Sequence, residues 1–394
     1  MNLKKLVSDL DVDNVFIYVA DAVRWDGLPD SISKRGVVAK TVAGSIHSPT
    51  SFATIVTAKY MITHGVTDFD CRVPDSIPTL FDLQDHQTRF VNSIGVSGSE
   101  DPIYSVLDQP ARDTNDPFKS ISPPFVVMER GQGGHAPYGN FEGTVTEYFD
   151  ARKERTVEEI KNEYYVGIES DAKTFSQRIE ELESEGLLDD TFVIYTSDHG
   201  ELLGEGGMFG HNGPIRPELV YVPTVFMHPN LPEKSVDNHI SHVELLPLII
   251  DLLDVEVNQG PIDDTPTTSA DVSFSFYEKQ HDIPYVPITG KTRYESVWDA
   301  NGGYVYPRAS FRERSPGFIG DLFFAPSKRL ARKRAVRGLK SYISGREQFG
   351  DPPGKAEEFD ETLGKWINST TTQSSHVSLG ETAKDRLEEL GYLK

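Results

Sequence analysis

The sequence predicts an α/β fold: a mostly parallel central sheet flanked by helices, followed by a smaller C-terminal α+β portion. Three observations carry this. Apolar runs of strand length alternate with helical patterns through the first ~255 residues, as expected for parallel strands joined by crossover helices. Two of those runs, Asn14–Val19 and Phe192–Tyr195, lead directly into acidic or histidine residues. Open α/β sheets gather their ligands at that edge. After Val255 the texture changes: Asn258–Ala270 is rich in Pro, Asp, Thr and Gly and reads as a linker. The expected division is a main domain over 1–257 and a smaller subdomain over 258–394, whose last helix packs back on the main domain.

In chain order, Asn14–Val19 (NVFIYV) is a nearly continuous apolar run, so a central strand covered on both faces. Val37–Val42 is a second strand. Ser48–Ser51 reads as a turn and helix N-cap, with the helix itself over Phe52–Tyr60. Phe90–Val96 and Pro124–Met128 are further strands. Thr156–Leu188 is one long helix with Ile160, Tyr164, Ile168, Phe175, Ile179 and Leu182 on a shared face. Phe192–Tyr195 and Pro223–His228 are strands, and His242–Leu253 is an apolar helix. Beyond the linker, Ile283–Pro307 suggests a few antiparallel strands. Ser369–Ser378 is polar and loose, and Glu381–Lys394 is a short amphipathic helix.

Composition narrows the function. The 394 residues carry 61 acidic and 39 basic side chains, a formal net charge of −22. That excludes a general nucleic-acid binder, which needs a basic face. It suits a protein kept soluble at high ionic strength, so a salt-loving source is one expectation. Cys71 is the single cysteine, which excludes an internal disulfide. The opening residues hold no apolar run long enough for a signal peptide, and no stretch reaches the ~18 apolar residues of a membrane span. A soluble, cytoplasmic protein is expected. Ser327–Lys340 (SKRLARKRAVRGLK) is a basic run in an acidic chain. It reads as a solvated helix face or, more sharply, as a contact for a polyanion or an anionic membrane surface.

The chemistry concentrates in Thr191–Gly213, where Asp198 and His199 follow a strand. A carboxylate and an imidazole together suit Zn, Mn or Fe, and Ca or Mg less well. An Asp in that place also commonly caps the next helix. The surrounding glycines and a second histidine, His211, favour the metal. Asp21 ends the first strand in the same way. Ser48 precedes a helix N-terminus, where the field favours anions. It is either a cap or a nucleophile toward a phosphate or sulfate ester. Arg130, His135 and Tyr138 share a glycine-rich loop.

Five stretches, in this order, resemble the sulfatase-like branch of the alkaline phosphatase superfamily: NVFIYVADAVRWD, SPTSFATIVTAKYMITHGV, GGHAPY, the segment from EYYVGIES to TSDHGE, and ISHVELLPLIIDLL with the closing LEELGYL. The resemblance implies one divalent ion (Mn, Zn, Ca or Mg) on Asp21, Asp198 and His199, with Ser48 as nucleophile and fourth ligand. It implies that His135 and His211 contact the transferred group or the leaving oxygen. Arg24 and Arg130 are the substrate-binding candidates. The implied substrate is a small anionic ester, glycan or lipid headgroup. Two departures bear on the activity. True sulfatases carry Cys-x-Pro-x-Arg or a Ser variant, whose first residue becomes formylglycine; here the segment is Ser48-Pro49-Thr50-Ser51-Phe52. Ala22 stands where many sulfatases have a second aspartate. An unmodified Ser48, turning over phosphate esters faster than sulfate esters, is therefore expected. The rival in kind is an inactive module of the same fold that binds anionic glycan or lipid. His64 and His242 are read as structural.

Overall fold

The computed structural model describes residues 7, 10–94, 101–112, 116–255, 266, 268, 270–283 and 288–392. Most of the expected linker, the 257/258 boundary and Leu393 lie outside the described residues. Seven strands form the main sheet: β1 (Asn14–Ala20), β2 (Val37–Val42), β3 (Gln87–Asn92), β4 (Phe125–Gly131), β5 (Thr191–Thr196), β6 (Tyr221–Met227) and β7 (Lys234–Ser241). Their order is β7-β2-β6-β5-β1-β4-β3. Strand β6 runs antiparallel to both neighbours, and every other pairing is parallel. The fold is thus a mostly parallel α/β sheet.

Strand β1 lies at the heart of this sheet and alternates its side chains between two apolar layers. Val15, Ile17 and Val19 face one layer, which holds α1 (Ser48–Thr57) and α3 (Leu245–Leu253). Phe16, Tyr18 and Ala20 face the other, which holds the long α2 (Val157–Ser184). Helix α2 begins with a capping box between Thr156 and Glu159 and buries the six apolar residues read from its periodicity. The β1 run is uninterrupted because both its faces are covered.

Several boundaries differ from the sequence reading. Helix α1 begins at Ser48, four residues earlier than expected. His47 is its N-cap, and no side chain makes a capping bond there. Strand β7 was not foreseen: KSVDNHIS is polar and half exposed, as an edge strand can be. His242–Glu244 is a 3₁₀ turn that precedes α3. Within the segment expected to be loose, Ser375–His376 pairs with Cys71–Arg72.

A second, antiparallel sheet of β8 (Ser273–Asp282), β9 (Thr289–Trp298), β10 (Gly302–Pro307) and β11 (Glu347–Gly350) follows in sequence order. Among the helices of this part are α4 (Phe311–Phe323), α5 (Ala335–Ile343), α6 (Ala356–Ser369) and α7 (Glu381–Glu389), with a five-residue helix at Lys328–Arg332 between α4 and α5. Phe274 and Phe276 pack with Trp366 of α6 on Tyr60, just beyond α1. The Phe276 N–H donates to the Gly44 carbonyl at 2.9 Å and so ties β8 to the loop before α1. Helix α7 returns to the main sheet, where Leu387 and Leu390 enter the α1 layer. Burial of each is worth about 1.5–3 kcal/mol.

Beneath the site edge, Asp171 of α2 accepts from the Tyr18 hydroxyl at 2.8 Å. Burial pushes its carboxyl up to about 6, against the lowering effect of that bond. The folded value lies above the ordinary 3.8, so the folded state holds the proton more tightly. Stability from this group is full below pH ~4 and is lost as pH rises toward ~6. Asp171→Asn should remove that slope and stabilise the protein at pH 7 by about 1–3 kcal/mol. Urea melts of both proteins at pH 4.5 and 7 test it: an unchanged slope would show that Asp171 does not titrate as stated.

Candidate functional site

The carboxyl ends of β1, β4 and β5 lie side by side, and the N-terminus of α1 points at them. Asp21 follows β1, Arg130 lies near the end of β4, and Asp198 and His199 follow β5. All four side chains are buried, as is Ser48 in the first position of α1. The backbone is laced together around them. The Ala22 N–H donates to Asp198 Oδ1 at 3.0 Å, and Ser51 Oγ donates to the Asp198 carbonyl at 2.7 Å. The Val23 N–H donates to Ser197 Oγ at 2.8 Å. Ala22 itself sits in the left-handed region at φ 57°, and its carbonyl accepts from the Tyr164 hydroxyl at 2.8 Å.

One donor atom each from Asp21, Asp198 and His199 lie within 4.8 Å of one another. His199 Nδ1 lies 2.9 Å from the Gly200 carbonyl. A proton on Nδ1 leaves the Nε2 lone pair facing the site, 3.1 Å from Ser48 Oγ. Asp21 Oδ1 and Asp198 Oδ2 are buried without a hydrogen-bond partner among the described residues. Such orphaned oxygens are costly unless a cation satisfies them. Two carboxylates, a free imidazole nitrogen and a hydroxyl, gathered this closely, fit a divalent ion.

Arg130 supplies the fixed positive charge. Its Nε lies 3.0 Å and its Nη2 2.5 Å from Asp21 Oδ2. Burial alone would push the Asp21 carboxyl up, but Arg130 and the three nearby histidines hold it below the usual range. Asp198 has no such clamp. Burial, and then the Asp21 charge, push its carboxyl above the ordinary value.

His135, His211 and Glu201 form the outer part of the site. His135 Nδ1 lies 2.6 Å from the Ala136 carbonyl, which leaves Nε2 free to accept. Neither ring nitrogen of His211 has a hydrogen-bond partner among the described residues, and its ring centroid is 4.3 Å from that of His199. Burial, followed by His199 and His135, pushes His211 well down; burial also lowers His135. Burial raises Glu201 to about 7, and its Oε1 lies 3.4 Å from His211 Nδ1. Together these groups give a buried polar surface on which Glu201 Oε1 and both His211 nitrogens lack hydrogen-bond partners among the described residues.

A cleft of about 410 Å³ reaches His135, Glu201 and His211 from outside. It runs between the main sheet and the second sheet, and Lys279 and His281 of β8 are among its walls. Tyr392, which sequence reasoning did not single out, stands between the cleft and Ser48. Its hydroxyl lies 3.2 Å from Ser48 Oγ and 3.1 Å from His135 Nε2. The sequence signal was the Leu390-Gly391-Tyr392 ending. Gly391, at φ 81°, makes the left-handed turn that closes α7. The Tyr392 N–H bonds back to the Leu387 carbonyl and the Gly391 N–H to that of Glu388, a Schellman motif that aims the ring inward.

The structure brings Asp21, Ser48, Arg130, His135, Asp198, His199 and His211 into one region. Arg24 is turned away from it: its guanidinium pairs with Asp26 at 2.8 Å and Glu205 at 2.9 Å and does not line the cleft. His64 and His242 pack behind the site. His64 Nδ1 accepts from the Val66 N–H, and His242 Nε2 lies 2.9 Å from the Ser197 carbonyl.

Carboxylates, an imidazole and a hydroxyl thus meet at the carboxyl edge of an α/β sheet. The Sulfatase family model matches residues 83–255. Over 99% of both chains, the protein is 29% identical to the low-salt glycan biosynthesis sulfotransferase Agl7 of Haloferax volcanii. These similarities support the resemblance of its motifs to the sulfatase-like branch of the alkaline phosphatase superfamily. Among solved structures, the 2-O GAG sulfatase BT1596 superposes with a TM-score of 0.58 at 14% identity, over 90% of each chain. The phosphonate monoester hydrolase of Agrobacterium radiobacter gives 0.55 at 15% identity, over 86% of this chain and 100% of its own. At those identities the likeness is one of fold.

The clamp on Asp21 yields a prediction. Arg130→Met strands a buried carboxylate and should cost about 3–5 kcal/mol. Chemical denaturation measures it, and a loss under about 1 kcal/mol would mean that the pair is not the buried, mutually dependent one described here.

Proposed function

We propose that the protein cleaves or transfers sulfate or phosphate esters through Ser48, with a divalent ion (Mn, Zn, Ca or Mg) held by Asp21, Ser48, Asp198 and His199. The observation that carries this reading is the gathering of Asp21, Asp198 and His199 within 4.8 Å, each carboxylate with one buried oxygen lacking a partner among the described residues, beside Ser48 Oγ at 3.1 Å from His199 Nε2. Similarity to the Sulfatase family and to a sulfotransferase along nearly the whole chain supports it. When bound, the ion supplies charge neutralisation for the ester oxygens and lowers the pKa of the serine hydroxyl.

The chain's own groups account for the rest. Ser48 Oγ bonds to the sulfur or phosphorus as the bond to the leaving oxygen breaks. The serine proton has a path through the Tyr392 hydroxyl to His135 Nε2, both within 3.2 Å of their neighbours. His135 then protonates the leaving oxygen. In the second half, water or another hydroxyl attacks the sulfo- or phospho-serine, gives its proton to the same relay, and Ser48 is restored. His211, with its unpartnered nitrogens, orients the transferred oxygens. Transfer of sulfate to a glycan hydroxyl is the second reading; the end-to-end similarity to a sulfotransferase favours it.

Ser48→Ala should abolish turnover, because Thr50 and Ser51 point elsewhere: Ser51 Oγ is committed to two backbone carbonyls. A panel of aryl phosphate, phosphodiester and aryl sulfate, with each of the four metals and with and without a glycan acceptor, tests the reading. No turnover of any ester with any metal would refute it. Mass spectrometry of the Ser48 peptide should show unmodified serine.

Asp198→Asn gives a prediction of opposite sign in two readouts. Removing a buried charge that faces Asp21 should stabilise the metal-free protein by about 1–2 kcal/mol. The same change should lower the affinity for Mn or Zn at least tenfold. Melting in chelator and titration calorimetry with the metal read the two effects separately. A destabilised, metal-competent variant would contradict both.

A further inference from the structure

One surface is out of keeping with the rest of the molecule. Phe311, Phe323, Val336, Leu339 and Ile343 are five of the seven large apolar side chains exposed among the described residues. Val336 is 84% exposed, Phe323 53%, Ile343 51% and Leu339 38%. Val336, Leu339 and Ile343 follow helical spacing on α5, whose opposite face buries Gly338, Ser341 and Tyr342. The outward stripe is therefore a true face of a packed helix.

The charge around it is equally unusual. Residues 327–340 hold seven Lys or Arg and no acid, in a chain of net charge −22. Arg337 and Lys340 are exposed on α5 and make no ion pair among the described residues. Arg332 lays its guanidinium over the Phe323 ring, 4.9 Å from its centroid. A solvated helix face explains the charges but not the apolar stripe between them. Apolar side chains rimmed by Lys and Arg are the features that let a helix lie in the interface of an anionic bilayer. Elsewhere the acidic surface would be repelled, so the patch also fixes orientation.

We propose that α5 and the end of α4 dock this protein on an anionic lipid bilayer, with Val336, Leu339, Ile343 and Phe323 entering the interface and Arg337 and Lys340 meeting the headgroups. The docking does not rest on the chemistry proposed for the site, but the geometry relates the two. Helix α4 lines the cleft with Pro316, Gly320 and Asp321 before it ends at Phe323. The Tyr342 hydroxyl of α5 donates to Asp321 at 2.8 Å. A docked molecule therefore holds the cleft within a helix's width of the bilayer, within reach of a headgroup.

The test is flotation of the full chain with vesicles of phosphatidylglycerol or of phosphatidylcholine, at 0.1 M and at 1 M salt on the order of the two screening regimes. The protein should float with phosphatidylglycerol and at least tenfold less with phosphatidylcholine at the lower salt. Arg337→Glu with Lys340→Glu should weaken partition into phosphatidylglycerol by about tenfold or more, since each surface cation contributes about fivefold. Val336→Ser with Ile343→Ser should remove the binding that survives at high salt. Unchanged melting temperatures establish that both variants fold. Equal partition into the two lipids, or phosphatidylglycerol binding untouched by either pair, would overturn the proposal. So would a dimer in sedimentation that both pairs dissolve, because the patch would then hold a second copy of this chain. Ester turnover plays no part in these readouts, so an inactive site would leave the outcome intact.

Discussion

Two carboxylates face one another out of water at adjacent strand ends, and much of the molecule is arranged to make that tolerable. Asp21 and Asp198 are fully buried, and each raises the cost of charge on the other. Arg130 relieves Asp21 from β4, and backbone N–H groups relieve one oxygen of Asp198. Burial pushes His135 and His211 toward neutrality, so they offer lone pairs rather than charge. One oxygen of each carboxylate is left without a hydrogen-bond partner among the described residues. The three-strand order β5-β1-β4 is what makes this economy possible, because each strand end supplies one member of the set.

The second constraint is access. Ser48 and His199 do not line the cleft, whereas His135, His211 and Tyr392 do. The candidate site is thus a buried inner chamber behind a polar vestibule. The wall between them is a single aromatic ring, held by packing against Phe69 with centroids 4.9 Å apart and by two hydroxyl contacts. Exclusion of water strengthens every electrostatic contact inside the chamber.

What could be read from the sequence was what is locally encoded. Strands β1 and β5 announce themselves because both faces are covered, and α2 does so because one face is. The buried cluster of Asp21, Asp198 and His199 was legible because these residues adjoin those strands. Strand β7 was not, since a half-exposed edge strand carries no apolar run. The reversed direction of β6 was not, since strand composition says little about polarity. Arg24 lies two residues from Ala22, yet its side chain is directed by Asp26, its near neighbour, and by Glu205, far along the chain. Tyr392 is legible only through contacts spanning most of the chain: its partners Ser48 and His135 lie hundreds of residues away.

Ala22 holds a backbone conformation that suits it poorly. Left-handed φ costs an alanine roughly 1–2 kcal/mol, and aspartate and asparagine tolerate it better than other side chains. The chain's departure from many sulfatases at this position is therefore not dictated by its backbone, which would accept the aspartate more readily. What stands in the way is electrostatic: a third buried carboxylate beside Asp21 and Asp198 would need positive charge beyond Arg130. The physical distance to an aspartate here is one more positive charge. Evolution at this position is gated by counter-charge elsewhere, so an aspartate here can persist only after, or together with, a new basic residue or a more highly charged ion.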